Sequence, residues 1–308
     1  MLKVGIDLEL ADYRILAYLF AAYIFFVWCW KESLVRSSLL KDKPPYWYTL
    51  ELLSAVVFGV CLEWVGVHML NYYHYGYSLV SILDIPLSTP LGWGAIIYSA
   101  MLTTDKLEAP SWTRPFLDAF FAIQIDLGMD VVATRLGLWT WTYYPEDVKW
   151  SMDWFGVPYG NYFGWIFTVL FFSLIFRLIR KREIRPKQWI LKYLVVGVGV
   201  ILCCEILLFG TLEIGRIFQV MGLSDKIVAL WPWLLIAYPT FYGLKNIEKF
   251  RLSPLNIGIS AFYHGFSLYV LVFTTLKHVN LTLIIINSML FIGVLGFHLW
   301  LLKKEKNS

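Results

Sequence analysis

Long apolar stretches alternate with short polar connections along the whole chain. About 20 apolar residues in a helix cross the hydrocarbon core of a bilayer. The pattern predicts nine such spans, near residues 13–30, 50–70, 79–102, 115–138, 159–178, 190–212, 227–244, 255–276 and 280–302. The expected fold class is all-α: one polytopic transmembrane helical bundle over residues 1–308, without an internal repeat. The third span is irregular, because Asp84, Pro86, Pro90 and Gly92 break or kink a helix. Such backbone is tolerated at membrane depth where it lines a cavity or is buried in protein. The 139–158 connection, WTWTYYPEDVKWSMDWFGVP, is rich in Trp and Tyr. It reads as an interfacial aromatic belt, or as a lid over a hydrophobic site.

Composition supports the membrane class. Of 308 residues, 59% are hydrophobic and 16% charged, with a mean hydropathy of +0.63; soluble domains carry about 25% charged residues. Charge then orients the bundle. Nineteen Lys and Arg fall in the connections on one predicted side and seven on the other. The positive-inside rule therefore puts the N-terminus outside and the C-terminus in the cytoplasm of a multi-pass protein of the cell membrane. The net charge of +4 suggests no nucleic-acid partner, since the basic residues sit at helix ends. Cys29, Cys61, Cys203 and Cys204 lie in apolar segments and read as buried free thiols. The N-terminus lacks a signal-peptide pattern, so the first span is expected to direct insertion. Membrane lipid is the expected surrounding partner, and the oligomeric state is open.

The acids inside the apolar stretches matter most: Glu63, Asp126, Asp130, Glu205 and Glu213. A carboxylate near the bilayer centre costs about 2.5–3.5 kcal/mol on insertion scales, so several are kept only where they face one another, a polar cavity or a ligand. The predicted topology gathers them in the outer half of the bundle. Asp126 and Asp130, at i and i+4, share a helix face, which Asp118 and Ala122 extend inward. Asn161 opens span five, with Trp165 one turn on; Glu205 lies in the outer half of span six, and His264 in the middle of span eight. Two carboxylates on one face in a low dielectric do not both ionise. A carboxylic acid kept neutral is a proton donor. The plainer reading of the pair is an interhelical hydrogen bond, or neutralisation by Arg135. Glu213 has Arg216 as a local partner, and His264 reads either as a hydrogen-bonded core residue or as part of the pocket.

Other chemistries find little support. His68 and His74 are six apart and do not match a helical metal pair, so no metal is assigned. No P-loop, dinucleotide fingerprint, zincin motif or nucleophile elbow is present, and no cofactor is expected. The 15 Trp, 19 Tyr and 22 Phe are mostly packing and belt residues, but aromatic faces also stabilise cations at dry sites.

Two segments carry a family resemblance: residues 63–93, EWVGVHMLNYYHYGYSLVSILDIPLSTPLGW, and residues 126–165, ending in GVPYGNYFGW. Together they resemble the membrane-bound carotenoid biosynthesis proteins, a family that includes the carotenoid 1,2-hydratases and the archaeal bisanhydrobacterioruberin hydratase. The family pattern falls here on Glu63, Gly66, Tyr75, Tyr77, Ile85, Pro86 and Trp93. It continues on Asp126, Asp130, Trp139, Trp141, Gly156, Val157, Pro158, Asn161, Gly164 and Trp165. The likeness covers about residues 50–180. It departs at HMLNYYH, which replaces a Gly/Phe/Pro-rich stretch, and it is not followed beyond residue 185.

The resemblance implies a hydrophobic polyene or isoprenoid substrate and hydration of an isolated alkene. Such a site needs a neutral acid, aromatic faces and a placed water, and no cofactor. On that basis Asp126 or Asp130 is expected to be the acid, and Glu63 with Asn161 to position water. Trp139, Trp141 and Trp165 are expected to line the cation. Tyr75, Tyr77, Trp93, Glu205 and His264 complete the expected binding residues. Two alternatives stay open. A membrane terpene cyclase or prenyltransferase would use the Asp126-x-x-x-Asp130 spacing for magnesium and diphosphate, or would protonate and exclude water. A proton-coupled transporter or lipid-binding scaffold would use the same acids otherwise.

Overall fold

A computed structural model describes residues 2–4, 12–40, 46–142, 153–180, 189–249, 253–274, 276 and 279–306. Among them are nine long helices at the nine predicted positions. They are α1 (Tyr13–Ser38), α2 (Trp47–Trp64), α3 (Ser88–Lys106), α4 (Arg114–Arg135), α5 (Tyr159–Arg180), α6 (Trp189–Val220), α7 (Asp225–Lys245), α8 (Pro254–Phe273) and α9 (Leu281–Lys306). Five short strands join them: β1 (Leu2–Val4), β2 (Tyr73–Tyr75), β3 (Val80–Ile82), β4 (Ile85–Pro86) and β5 (Trp139–Trp141).

Seven of the helices are long and apolar enough to cross a membrane unaided, which makes this a multi-pass membrane protein. The other two, α3 and α4, are the most thoroughly buried elements. Nearly every position from Ser88 to Thr104 and from Pro115 to Thr134 is enclosed. They pack on each other and on α1, α2 and α5. Inside such a sheath they can carry the Ser, Thr, Asp and Gln side chains that a lipid-facing helix cannot.

The third predicted span differs from expectation at its start. Residues 80–86 form an antiparallel hairpin with Ile82 opposite Ile85, and the helix begins only at Ser88. The two turn residues, Leu83 and Asp84, both have positive φ (54° and 64°), the geometry of the tight hairpin turn that matches strand twist. Pro86 has no N–H to give a helix and sits at the end of a strand. β1 adds to the other edge of this small sheet.

The second small sheet positions the site. α4 closes with Gly137 in the left-handed region (φ 74°). The Leu138 amide bonds back to Ala133 and the Gly137 amide to Thr134, a helix stop that only an unhindered residue adopts at ease. The chain turns directly into β5, which pairs antiparallel with β2 in the register Tyr73–Trp141, His74–Thr140 and Tyr75–Trp139. Gly76 extends the ladder through its amide to Leu138 O, and a Cβ on it would lie 2.0 Å from the Gly137 carbonyl oxygen. Both sheets therefore cap the same end of the bundle, over the C-terminal end of α2 and α4 and the start of α3 and α5.

Candidate functional site

Glu63 lies in the last turn of α2 and is 6% exposed. Just after it the helix widens into one π-helical turn, Val65–Met69, a local defect frequent at functional sites. The chain then folds back, so that the Tyr73 and Tyr75 hydroxyls both donate to Glu63 Oε2. The Trp93 indole N–H donates to Glu63 Oε1 at 2.5 Å. Gly66 makes this return possible, since a Cβ there would meet the Tyr73 hydroxyl at 2.8 Å. Three of the roughly four lone-pair sites of a carboxylate are thus occupied.

The β2–β5 ladder aligns four aromatic rings. Side chains alternate across a strand, so Tyr73, Tyr75, Trp139 and Trp141 share one face and His74 and Thr140 take the other. Tyr73 meets Trp141 edge-on at 5.0 Å, Tyr75 meets Trp139 at 6.4 Å, and the two tyrosines meet at 5.6 Å. Tyr18 of α1 and Tyr263 of α8 continue the aromatic surface beside Trp139. Deeper in, Trp93 stacks on Trp165 with centroids 3.8 Å apart.

The aspartates line the same cavity, with the Trp139 indole beside Asp130. Asp126 and Asp130 are 0% and 2% exposed. One amide group, Asn161 Nδ2, bridges them, donating to Asp126 Oδ2 at 3.0 Å and to Asp130 Oδ2 at 2.5 Å. Asp126 Oδ1 is buried without a hydrogen-bond partner. Arg135 is not the counter-ion foreseen as one possibility: its guanidinium donates to the Val131 and Phe155 carbonyls. Asn161 reaches the pair because it lies in the first turn of α5, whose packing against α4 sets the two helices side by side.

All these groups line one cavity of about 880 Å³, within the roughly 300–1,000 Å³ typical of ligand pockets. The structure brings Glu63, Tyr75, Tyr77, Trp93, Asp126, Asp130, Trp139, Trp141, Asn161, Trp165 and Glu205 to its wall. On α6 the lining runs from Glu205 to Gln219 along one face, about 21 Å at 1.5 Å per residue. Both Glu205 oxygens are buried without a hydrogen-bond partner. Glu213 pairs with Arg216 at 3.8 Å.

His264 is not brought in. Its Nε2 meets Gln124 Oε1 on another face of α4, and it does not line the cavity, so it stands as a hydrogen-bonded core residue. His68 bonds the Trp64 carbonyl and stacks on that ring. Among the described residues no group of three or more His, Cys, Asp and Glu side chains is placed to hold a metal. Residues 143–152, the middle of the expected lid or belt, lie outside the described residues. Its flanks are ordered against the site: β5 on one side, and on the other Trp154, which donates to the Leu127 carbonyl at 3.0 Å.

Two features escaped the sequence. Tyr73 lies in the connection after the second predicted span and is not among the expected site residues, although the Tyr-x-Tyr and Trp-x-Trp alternation is the available signal of a paired ladder. The second is a buried ionic cluster at the other end of the bundle. Arg177 bonds Asp118 at 2.7 Å and Asp105 at 2.6 Å, Arg180 bonds Asp105 at 2.7 Å and pairs with Glu51, and Arg36 reaches Asp105 at 2.9 Å. Asp118, predicted as the inward end of the Asp126 stripe, belongs to this cluster.

Fold and cavity together define a polytopic helical membrane protein with a buried carboxyl pair beside an aromatic wall. The family model for carotenoid biosynthesis proteins matches residues 16–223, from α1 through α6, and the chain belongs to that family. The match reaches beyond residues 50–180 on both sides and includes Glu205. No curated protein and no solved structure matches the chain. Its role accordingly lies in a membrane-embedded carotenoid pathway.

Proposed function

We propose that this protein is a hydratase of the cell membrane that protonates a carbon–carbon double bond of a polyene and adds water to the cation. The observation that carries the reading is the buried Asp126–Asp130 pair, bridged by one Asn161 amide and lining a ligand-sized cavity together with Tyr75, Trp139 and Trp141. An alkene carbon is a weak base, so protonating it demands an acid held neutral and desolvated; two carboxyl groups sharing a low-dielectric site supply one. Asp126, with Oδ1 left free of hydrogen bonds, is assigned as the donor, and Asp130 as its charged neighbour. Its proton passes to the less substituted alkene carbon and leaves a tertiary carbocation. Water adds to that cation, and the proton it releases returns to the aspartate pair. The balance is alkene plus water to tertiary alcohol.

Asn161 holds the pair in register and offers its remaining carbonyl to the incoming water. Glu63 fits the water-positioning role less well, since three donors already occupy it. The cavity length along α6 suits an extended hydrocarbon chain.

The test is made in a lycopene-producing bacterial host expressing the chain, with pigments separated and weighed by mass spectrometry. A product heavier by one water, lost with Asp126→Asn, is expected. A new product of unchanged mass would replace hydration by cyclisation. Pigments identical with and without the chain would overturn the assignment to this polyene.

A further inference from the structure

We infer that Glu63 is a positioning residue: a fixed buried anion that acts through the Tyr73 and Tyr75 rings to make the β2–β5 wall a receptor for a lipophilic cation. This rests on the reading of the cavity as the seat of a carbocation. The starting observation is an accounting of charge. A buried carboxyl group with no cation or metal beside it keeps its charge only where hydrogen-bond donors converge on it. The three partners that Glu63 makes, Tyr73, Tyr75 and Trp93, are all neutral donors. An indole N–H only donates, so Oε1 is held as an acceptor. The Asp126–Asp130 pair, by contrast, shares one amide, with the Trp139 indole as a further neighbour of Asp130.

The second observation is placement. Both tyrosine rings line the same cavity as the carboxylate they bond, in a ladder that sets Trp139 and Trp141 on the same face. A cation is attracted to the face of an aromatic ring, most strongly where water is excluded. A phenol that donates to a carboxylate is more electron-rich than a free one, so the hydrogen bonds to Glu63 carry its charge into the ring faces. Local backbone features preserve the arrangement: Gly66 leaves room for the Tyr73 hydroxyl, and Gly76 lets the ladder close on Gly137.

Binding tests this without turnover. The protein is reconstituted in nanodiscs and titrated with geranylgeranyl-trimethylammonium and with its neutral isostere, in which carbon replaces the nitrogen; binding to empty nanodiscs is subtracted. The wild type should prefer the cation. Glu63→Gln should weaken the ammonium about 10-fold and leave the neutral compound within about 2-fold, the scale expected of a desolvated cation–π site. Tyr73→Phe/Tyr75→Phe, which keeps both rings and removes the hydroxyl bridges, should reduce the preference in the same direction, and it carries the test if Glu63→Gln does not fold. Equal loss of both compounds would reduce Glu63 to a packing role, and an unchanged preference would remove it from cation binding; either overturns the inference. A preserved cation preference in a protein that hydrates no polyene would refute the proposed reaction and leave this site standing.

Discussion

Asp126 and Asp130 share one amide donor but differ in their other neighbours, with the Trp139 indole beside Asp130. Asp130 Oδ2 takes the shorter bond from Asn161, and Asp126 keeps one oxygen unengaged inside the cavity wall. Replacing Asp126 by Asn keeps the shape and removes the transferable proton. Turnover is expected to fall by roughly 10²–10⁴-fold, the usual worth of a positioned general acid, with folding intact by thermal unfolding in detergent. Asn161→Ala should cost less, about 10-fold or more, because it frees two buried carboxyl groups from their common tether without deleting either; the rate of product formation in nanodiscs measures it. At this scale the sequence was informative about which residues matter and nearly silent about their partners. A carboxylate inside an apolar stretch announces itself through its insertion cost. The donors on Glu63 lie 10, 12 and 30 residues away in two other elements, β2 and α3, and local sequence contains no trace of that meeting. His264 illustrates the converse: a polar residue at mid-span is conspicuous, yet only the packing of α8 on α4 decides that it bonds Gln124 and not a ligand.

Among the elements, helices were legible and short strands were not. Length and apolar periodicity identify α1, α2 and α5–α9 almost unaided. The β3–β4 hairpin lay hidden in an apolar run continuous with α3, since Val80, Ile82 and Ile85 satisfy a helix and a buried strand alike. The β2–β5 ladder pairs segments more than 60 residues apart, beyond any local pattern. The close approach at Gly76 gives this ladder a single point of failure. In Gly76→Ala the new methyl would overlap the Gly137 carbonyl oxygen at 2.0 Å, so the strands must separate. The expected cost is about 1–3 kcal/mol, together with loss of the preference for cationic over neutral ligands. Thermal unfolding and the nanodisc titration read the two effects separately.

Across the whole molecule, polar groups form two layers on the same buried helices. At the capped end they surround the cavity; at the other end Asp105, Asp118 and Glu51 are matched by Arg36, Arg177 and Arg180. The Arg residues fall near helix ends and so read in the sequence as topology signals; their inward reach was not visible there. Breaking such a buried network on one side costs roughly 3–5 kcal/mol. Arg177→Met should therefore lower the unfolding temperature sharply, and Arg177→Met/Asp118→Leu should recover part of the loss. Activity per folded molecule should stay near wild type, because this cluster shares no residue with the cavity lining.

The most direct measurement is turnover by the purified, reconstituted protein with a lycopene-type polyene in deuterium oxide, followed by mass spectrometry of the product after back-exchange into ordinary water. Proton transfer from the aspartate pair to carbon predicts a product heavier by one water that retains one deuterium on carbon. A hydrated product without carbon-bound deuterium, or a polyene recovered unchanged and unlabelled, would contradict acid-initiated hydration in this cavity.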